Sequence, residues 1–506
     1  MVLNTGSKYG AIAVSFLTYF LLTPFLKSTL GPRLLGLRTL AVQALQFVGL
    51  AADALGVSYN RYATAEYARS DYERMNAYLS GGLLLSLVSG AVYLLGTVAA
   101  TVFAGSLFGL SSDLLPLGRF VILVSGLATA FHILIGVWKA PTFITQRFYI
   151  DSIGRIIAVA GGAAAVVVAF KAGSPSMALY VVLVCGARVL SEILYVVPHC
   201  RRALPEMAVR LRSGLASKEL RQMMNFGFLS LMTGLGHHLY YSSDSIIISN
   251  LDQLSIDNVF YYSIAQRWDP QIRLVVMAFV VVLTPMMTSL AAVKDRARLQ
   301  GVLLRAVRYA SIIGILPCVL LFVYASPFLE HWLDAEAALR SASVLRVVMV
   351  ALAFGIPSRV AAETLYAIGR IGVAAWVTVA GGVLNIALSI LFVVVFDMGL
   401  LGVALGSLTA LAVKDWIALP WLAVSYTGVR PLSFIANGWI RPLTAGVAAL
   451  TAGGALRFAW EPGGIAIVFV HFVLVAGVYA IAAYGLALNR DDRAKVMGFV
   501  QALVRR

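Results

Sequence analysis

Residues 368–395 read Ile368-Gly369-Arg370-Ile371 followed by GVAAWVTVAGGVLNIALSILFVVV, in which a single arginine precedes twenty-four residues without a charge. At about 1.5 Å per residue, about 20 such residues cross the roughly 30 Å hydrocarbon layer of a bilayer. The segment is apolar around its whole circumference, whereas a helix on the surface of a soluble core needs only one apolar stripe. The same pattern recurs along the chain. Predicted spans cover 9–30, 35–57, 78–104, 117–138, 156–174, 177–197, 223–249, 259–290, 309–326, 343–366, 372–395, 399–420, 440–459 and 463–487, fourteen in all. The fold class expected is an all-α polytopic membrane protein.

Composition agrees. Of 506 residues, 60% are apolar and 12% charged, against about 45–50% and about 25% in soluble domains. A net charge of +16 would point to nucleic acid in a soluble protein. Here the basic residues lie in loops between apolar spans, where they set orientation, so no nucleic-acid partner is expected. Cys185, Cys200 and Cys318 have no close pair, and neither a disulfide framework nor a CxxC metal site is indicated. The first span has no small-residue cleavage site behind it and reads as retained.

The two longest loops carry Arg201, Arg202, Arg210, Arg212, Lys218 and Arg221, then Lys294, Arg296, Arg298, Arg305 and Arg308. With Lys8, Arg61, Arg69, Arg74, Lys139, Arg147, Arg155, Arg370, Arg430, Arg441 and the tail residues Arg490, Arg493, Lys495, Arg505 and Arg506, one face holds 26 basic residues. The other holds eight: Lys27, Arg33, Arg38, Arg119, Lys171, Arg340, Arg346 and Arg457. The positive-inside rule then places both termini in the cytoplasm.

The opening stretch also has a twin. Ile153-Gly154-Arg155-Ile156 recurs as Ile368-Gly369-Arg370-Ile371, and Val159-Ala160-Gly161-Gly162 as Val379-Ala380-Gly381-Gly382, at offsets of 215 to 220. Pro141 and Tyr149 are echoed by Pro357 and Tyr366. Spans one to six therefore correspond to spans seven to twelve, the parallel-repeat arrangement of many transporters. The expected organisation is a six-helix bundle over 1–197, a cytoplasmic linker over 198–222, a second six-helix bundle over 223–421, helices 13 and 14 over 422–487 and a cytoplasmic tail over 488–506. In the tail, Val496, Val500 and Leu503 share one helical face, as an interfacial helix would.

Several turns resemble one known group. Thr18 to Leu40, with Pro24 and the run Leu30-Gly31-Pro32 to Leu35-Gly36-Leu37, resembles the opening of Wzx-type oligosaccharide flippases of the multidrug/oligosaccharidyl-lipid/polysaccharide (MOP) exporter superfamily. Ser242-Ser243-Asp244-Ser245-Ile246-Ile247-Ile248 and Tyr261-Tyr262-Ser263-Ile264-Ala265 are similar to that family's seventh span and the start of its eighth. Gly381-Gly382-Val383-Leu384-Asn385 and Gly399-Leu400-Leu401-Gly402-Val403-Ala404 resemble its eleventh-to-twelfth region. The resemblance covers nearly the whole chain through loose, hydrophobic motifs. It implies export of a polyprenyl-diphosphate-linked sugar, such as an O-antigen, capsule or exopolysaccharide repeat unit, across a bacterial cytoplasmic membrane by alternating access. It further implies membrane lipid, a polysaccharide polymerase and other assembly proteins as partners, no cofactor, and a lipid-tail groove formed by spans thirteen and fourteen.

Charges inside the spans are few: Arg188, Arg267, Arg273, Arg359 and Lys414 against Asp53, Glu192, Asp244, Asp269, Glu363 and Asp415. Each costs about 2.5–3.5 kcal/mol at the bilayer centre, so each needs a partner or a wet cavity. Arg188 with Glu192, Asp269 with Arg273, and Arg359 with Glu363 are four apart and stack on one helix face. A diphosphate requires cations, and guanidinium groups grip phosphate oxygens bidentately. Candidate substrate contacts are thus Arg267 first, with Tyr261, Tyr262 and Trp268 beside it, then Arg38 and Arg61 near the ends of span two, and Arg188, Arg273 and Arg359. Asp244, Asp53, Glu192, Glu363 and Asp269 are candidate cavity or coupling acids, for proton or sodium exchange. His132, His237 and His238 titrate near neutral pH, but adjacent histidines point apart on a helix, and no metal site is expected.

Two alternatives stand beside the flippase. A cation-coupled antiporter for drugs or organic cations on the same superfamily fold would use exposed cavity acids. A polysaccharide-processing membrane enzyme would need a sizeable outer domain, and the outer loops hold no Ser-His-Asp constellation. No GxxxxGK[ST] phosphate loop occurs.

Overall fold

The computed structural model describes residues 2–211, 217–494 and 497, and among them every regular element is helical. Eleven helices are long and apolar enough to cross a membrane, by length and composition among the described residues. The difference from fourteen has three sources. The first candidate, Gly6–Leu50, holds two predicted spans in one continuous assignment. The helices Ser217–Tyr241 and Arg441–Ala459 match the predicted seventh and thirteenth spans but are not among the eleven. The chain is an all-α, multi-pass membrane protein.

The long first helix, Val2–Ala68, contains one residue outside helical geometry, Gly31, with φ +79°. Only glycine adopts that conformation without a Cβ clash, and Pro32 follows it with no N–H to lose. Sequence thus turns one hydrophobic run into two packed segments. Arg33, just past the turn, reaches Asp113 Oδ2 at 3.0 Å. The Ser111 hydroxyl, with help from that guanidinium, holds the Asp113 carboxyl below the usual range.

The chain divides into two compact units, Met1–Phe260 and Tyr261–Arg506. In the first, Val2–Ala68 packs on Tyr72–Val102, Tyr149–Ala172 and Ser217–Tyr241. In that unit Tyr59, Met75, Tyr78, Leu79, Val137 and Ile144 belong to a buried cluster. In the second, Arg296–Val323 packs on Trp268–Ala292, Ala335–Ala367 and Arg441–Ala459, while Ile371–Val394 packs on Gly399–Leu411. Trp268, Phe328 and Trp332 stack or meet edge-on there, with centroids 5.1–5.7 Å apart. The linker region has a short helix, Val197–Ala203; residues 212–216 and the tail beyond 494, apart from 497, lie outside the described residues, and with them the tail face of Val496, Val500 and Leu503.

The ends of the sixth and twelfth predicted spans share a feature the sequence motifs did not announce. A π-turn, in which the helix widens by one residue, ends the sixth span at Glu192–Val196 and the twelfth at Ala412–Ala418. Each runs directly into a helix opened by a proline, Pro198 or Pro420. A proline clashes with the carbonyl four residues before it. Those residues are Leu194 and Trp416, inside the two π-turns, where the widened winding moves the carbonyl aside. The same device precedes Pro442, whose Gly438 lies in the π-turn Ala436–Ile440.

Candidate functional site

Each of the two equivalent π-turns carries a buried carboxylate, and each carboxylate gathers cations. In the first unit Glu192 opens the turn and is buried. Its Oε1 meets His132 Nδ1 and lies 3.3 Å from Lys139 Nζ and 3.9 Å from Arg188 Nε. Lys139 Nζ also sits 3.8 Å from Asp151. The predicted Arg188–Glu192 pair is therefore present, but as the longest contact of a larger cluster. Lys139, read from sequence as a loop residue that sets orientation, has a side chain only 14% exposed and turns inward. The signal was its spacing: Lys139 follows His132 by seven residues, two helical turns.

In the second unit the turn contains adjacent Lys414 and Asp415, both buried. Lys414 Nζ lies 3.2 Å from Asp415 Oδ1, and Arg359 Nη2 lies 3.3 Å from Oδ2. The pairing of Arg359 with Glu363 expected from their spacing does not form; Arg359 reaches across to the π-turn, and Glu363 accepts the Thr284 hydroxyl at 3.2 Å. A fully buried carboxylate on a neighbouring helix outcompetes a half-buried one on the same helix, because leaving the buried charge uncompensated costs more. Asp269 and Arg273 do pair as spaced, in a two-pronged contact with Nη2 to Oδ2 at 2.9 Å.

Close helix approach brings both turns into place. A Cβ on Gly154 would overlap Val196, and the Ser191 hydroxyl donates to the Gly154 carbonyl at 2.6 Å. A Cβ on Gly381 would stand 2.9 Å from Lys414 Cδ. Gly154 belongs to the first repeated motif and Gly381 to the second, and their counterparts Gly369 and Gly161 have open space around them, so each motif meets a π-turn in one copy only.

The remaining candidates are scattered within their units. Arg267 is exposed between Ile256–Gln266 and Trp268–Ala292, where its N–H still bonds the Ser263 carbonyl at 3.0 Å and the predicted eighth span runs on through it, and Tyr261, Tyr262 and Trp268 beside it are buried. Arg38 lies over the Tyr180 ring at 5.1 Å, and Arg61 is exposed. Asp244 is fully buried in the first turn of Ser243–Asn250. The break before it places the Ser242 hydroxyl 2.9 Å from Gln46 and 3.2 Å from the His238 ring, and His237 packs on Tyr241 with centroids 4.6 Å apart. Asp53 lies on the first helix, with its side chain outside the described residues.

No family model matches the chain. It is 23% identical over 499 residues to the "Uncharacterized membrane protein EpsK" of Bacillus subtilis (strain 168), covering 98% of this chain and 97% of that protein. Among solved structures, it superposes on the lipid II flippase MurJ in an inward closed conformation with a TM-score of 0.71 at 13% identity, covering 96% of this chain and 98% of MurJ. An inward-facing multidrug resistance MATE family transporter of the MOP superfamily matches with a TM-score of 0.67 at 15% identity, over 84% of this chain and 95% of that transporter. The chain has the fold shared by the MurJ flippase and the MATE transporters of the MOP superfamily, the superfamily its turns resemble in sequence.

Proposed function

We propose that this protein is a flippase that moves a polyprenyl-diphosphate-linked oligosaccharide from the inner to the outer leaflet of a bacterial cytoplasmic membrane by alternating access, with both termini in the cytoplasm. The observation that carries the reading is coverage. The lipid II flippase fold accounts for 96% of this chain. The MATE fold is matched over 95% of its own length yet reaches only 84% of this chain. The extra length is of the size of helices 13 and 14 with the tail, which a lipid-linked substrate would use and a small organic cation would not.

The charge arrangement supports the same reading. Arg359 is committed to Asp415 on a neighbouring helix and holds the two in register, and Arg273 is paired with Asp269 on its own helix. Arg267 and Arg61, exposed, and Arg188, with 43% of its side chain exposed, keep guanidinium surface for a diphosphate. Arg38, stacked on Tyr180, is oriented for the same work. Asp244 and Asp53 are the proposed coupling acids by their place in the predicted seventh and second spans; Glu192 and Asp269 pair with cations and Glu363 accepts a hydroxyl. Export of roughly two negative charges toward a positive exterior is itself favoured by about 2.3 kcal/mol per charge per 100 mV, so proton or sodium coupling would be an addition to an existing drive.

The MATE similarity favours a second reading, a cation-coupled antiporter. One experiment separates them: proteoliposomes with a fluorescent polyprenyl-diphosphate sugar, comparing the natural chain with Arg267→Ala and Asp244→Asn under an imposed potential or proton gradient. The flippase reading expects protein-dependent flipping that drops at least tenfold in Arg267→Ala, and a proton-coupled cycle expects Asp244→Asn to lose its gradient response. Absence of flipping with any diphosphate lipid, alongside proton-driven efflux of organic cations, would sink the flippase and establish the antiporter.

A further inference from the structure

The second unit carries a cavity of about 310 Å³, remote in sequence from the π-turn carboxylate, lined by Arg305, Arg308 and Arg441. Arg441 is the first residue of helix Arg441–Ala459, and the lining residue Asn489 comes two positions after the π-turn Ala483–Ala487 that ends the last span. The cavity therefore lies where two spans leave the apolar layer, the level at which lipid phosphates sit.

Its charges are unevenly satisfied. Arg308 is 2% exposed. Its Nη2 stands 2.6 Å from Asp492 Oδ2, close enough for an ion pair, while Asp492 Oδ1 accepts the Tyr309 hydroxyl. Arg308 Nε and Nη1 are buried and have no hydrogen-bond partner in the protein. Arg305 donates through Nε to Gly301 O of its own helix at 3.1 Å, and Arg441 donates to the Asn437 and Asn489 side-chain oxygens. Three arginines against Asp491 and Asp492 leave the lining at a net +1. A buried guanidinium with unmatched N–H groups is costly unless an acceptor fills the gap, and the group that best fits several convergent guanidiniums is a phosphate.

We propose that this cavity binds a phosphate group at the membrane interface, supplied by an anionic phospholipid headgroup or by free phosphate. The site is separate from the transport reading and its test does not depend on transport. Full-length protein purified in detergent would be loaded with phosphatidylglycerol or phosphatidylcholine, and bound lipid counted by native mass spectrometry. Phosphatidylglycerol adducts are expected to exceed phosphatidylcholine adducts, and Arg305→Ala and Arg441→Ala are each expected to weaken the excess about fivefold, the worth of one basic residue at a membrane surface. Arg305 is exposed and Arg441 half-buried, so these variants keep the Arg308–Asp492 pair and are checked for an unchanged unfolding midpoint. Displacement of the lipid by millimolar inorganic phosphate would identify the phosphate group alone as the ligand, and retention would identify the whole lipid. Equal adducts for both lipids together with no phosphate-dependent stabilisation, or an excess that survives the double substitution, would overturn the site.

Discussion

At the residue scale, the decisive groups are the two π-turn carboxylates, because a charge held away from water is stable only with its partners in place. Asp415 is fully buried and Lys414 is 4% exposed. Removing one member of such a cluster strands the others, a loss of about 3–5 kcal/mol. Asp415→Asn is thus expected to lower the unfolding midpoint in detergent strongly, while Glu363→Gln, which disturbs a hydrogen bond from Thr284, should cost about 1 kcal/mol. Equal midpoints for the two variants would be incompatible with Asp415 as the centre of the cluster. Sequence spacing found Arg188–Glu192 and Asp269–Arg273 because partners four apart on one helix need no tertiary information. It missed Arg359–Asp415 and Lys139–Glu192, since these join different helices and nothing in a one-dimensional pattern says which helices touch.

At the scale of elements, the π-turns convert a helix breaker into a positioning device. Pro420 forces the carbonyl of Trp416 out of line, and the widened turn carries Lys414 and Asp415 with it. Pro420→Ala removes that constraint, so the segment is expected to close into regular α-helix. Hydrogen–deuterium exchange of the amides from Lys414 to Ala418 should then slow several-fold; unchanged exchange would show that packing rather than the proline holds the turn open. The proline and the repeated glycine motifs were visible in sequence. Their joint meaning was not, because the clash of a Cβ with Val196 or Lys414 exists only once two spans are packed. The turn at Gly31 was legible, since Gly-Pro in an apolar run has few helical solutions.

At the scale of the whole molecule, orientation is the expectation most open to test. The bias of basic residues predicts that the loop around Ala297 faces the cytoplasm and the loop around Ser174 the exterior. Both positions are exposed, and Cys200 and Cys318 are buried. In a Cys185→Ser background, a membrane-impermeant thiol reagent should label Ser174→Cys in intact cells and Ala297→Cys only after permeabilisation. The opposite pattern would invert the topology and with it the proposed direction of transport.

Sequence by itself determined that the chain is helical and that it crosses a membrane many times, and it carries short glycine motifs recurring at offsets of 215 to 220. These are properties of local hydrophobicity and period, which depend on neighbours along the chain. Tertiary structure alone decided which charges neutralise which, where helices widen into π-turns, and that Arg305 and Arg308 of one helix converge with Arg441 of another on one cavity. Those depend on the burial of each group and on which helices approach, and the free energy of a buried charge is set by atoms far away in sequence.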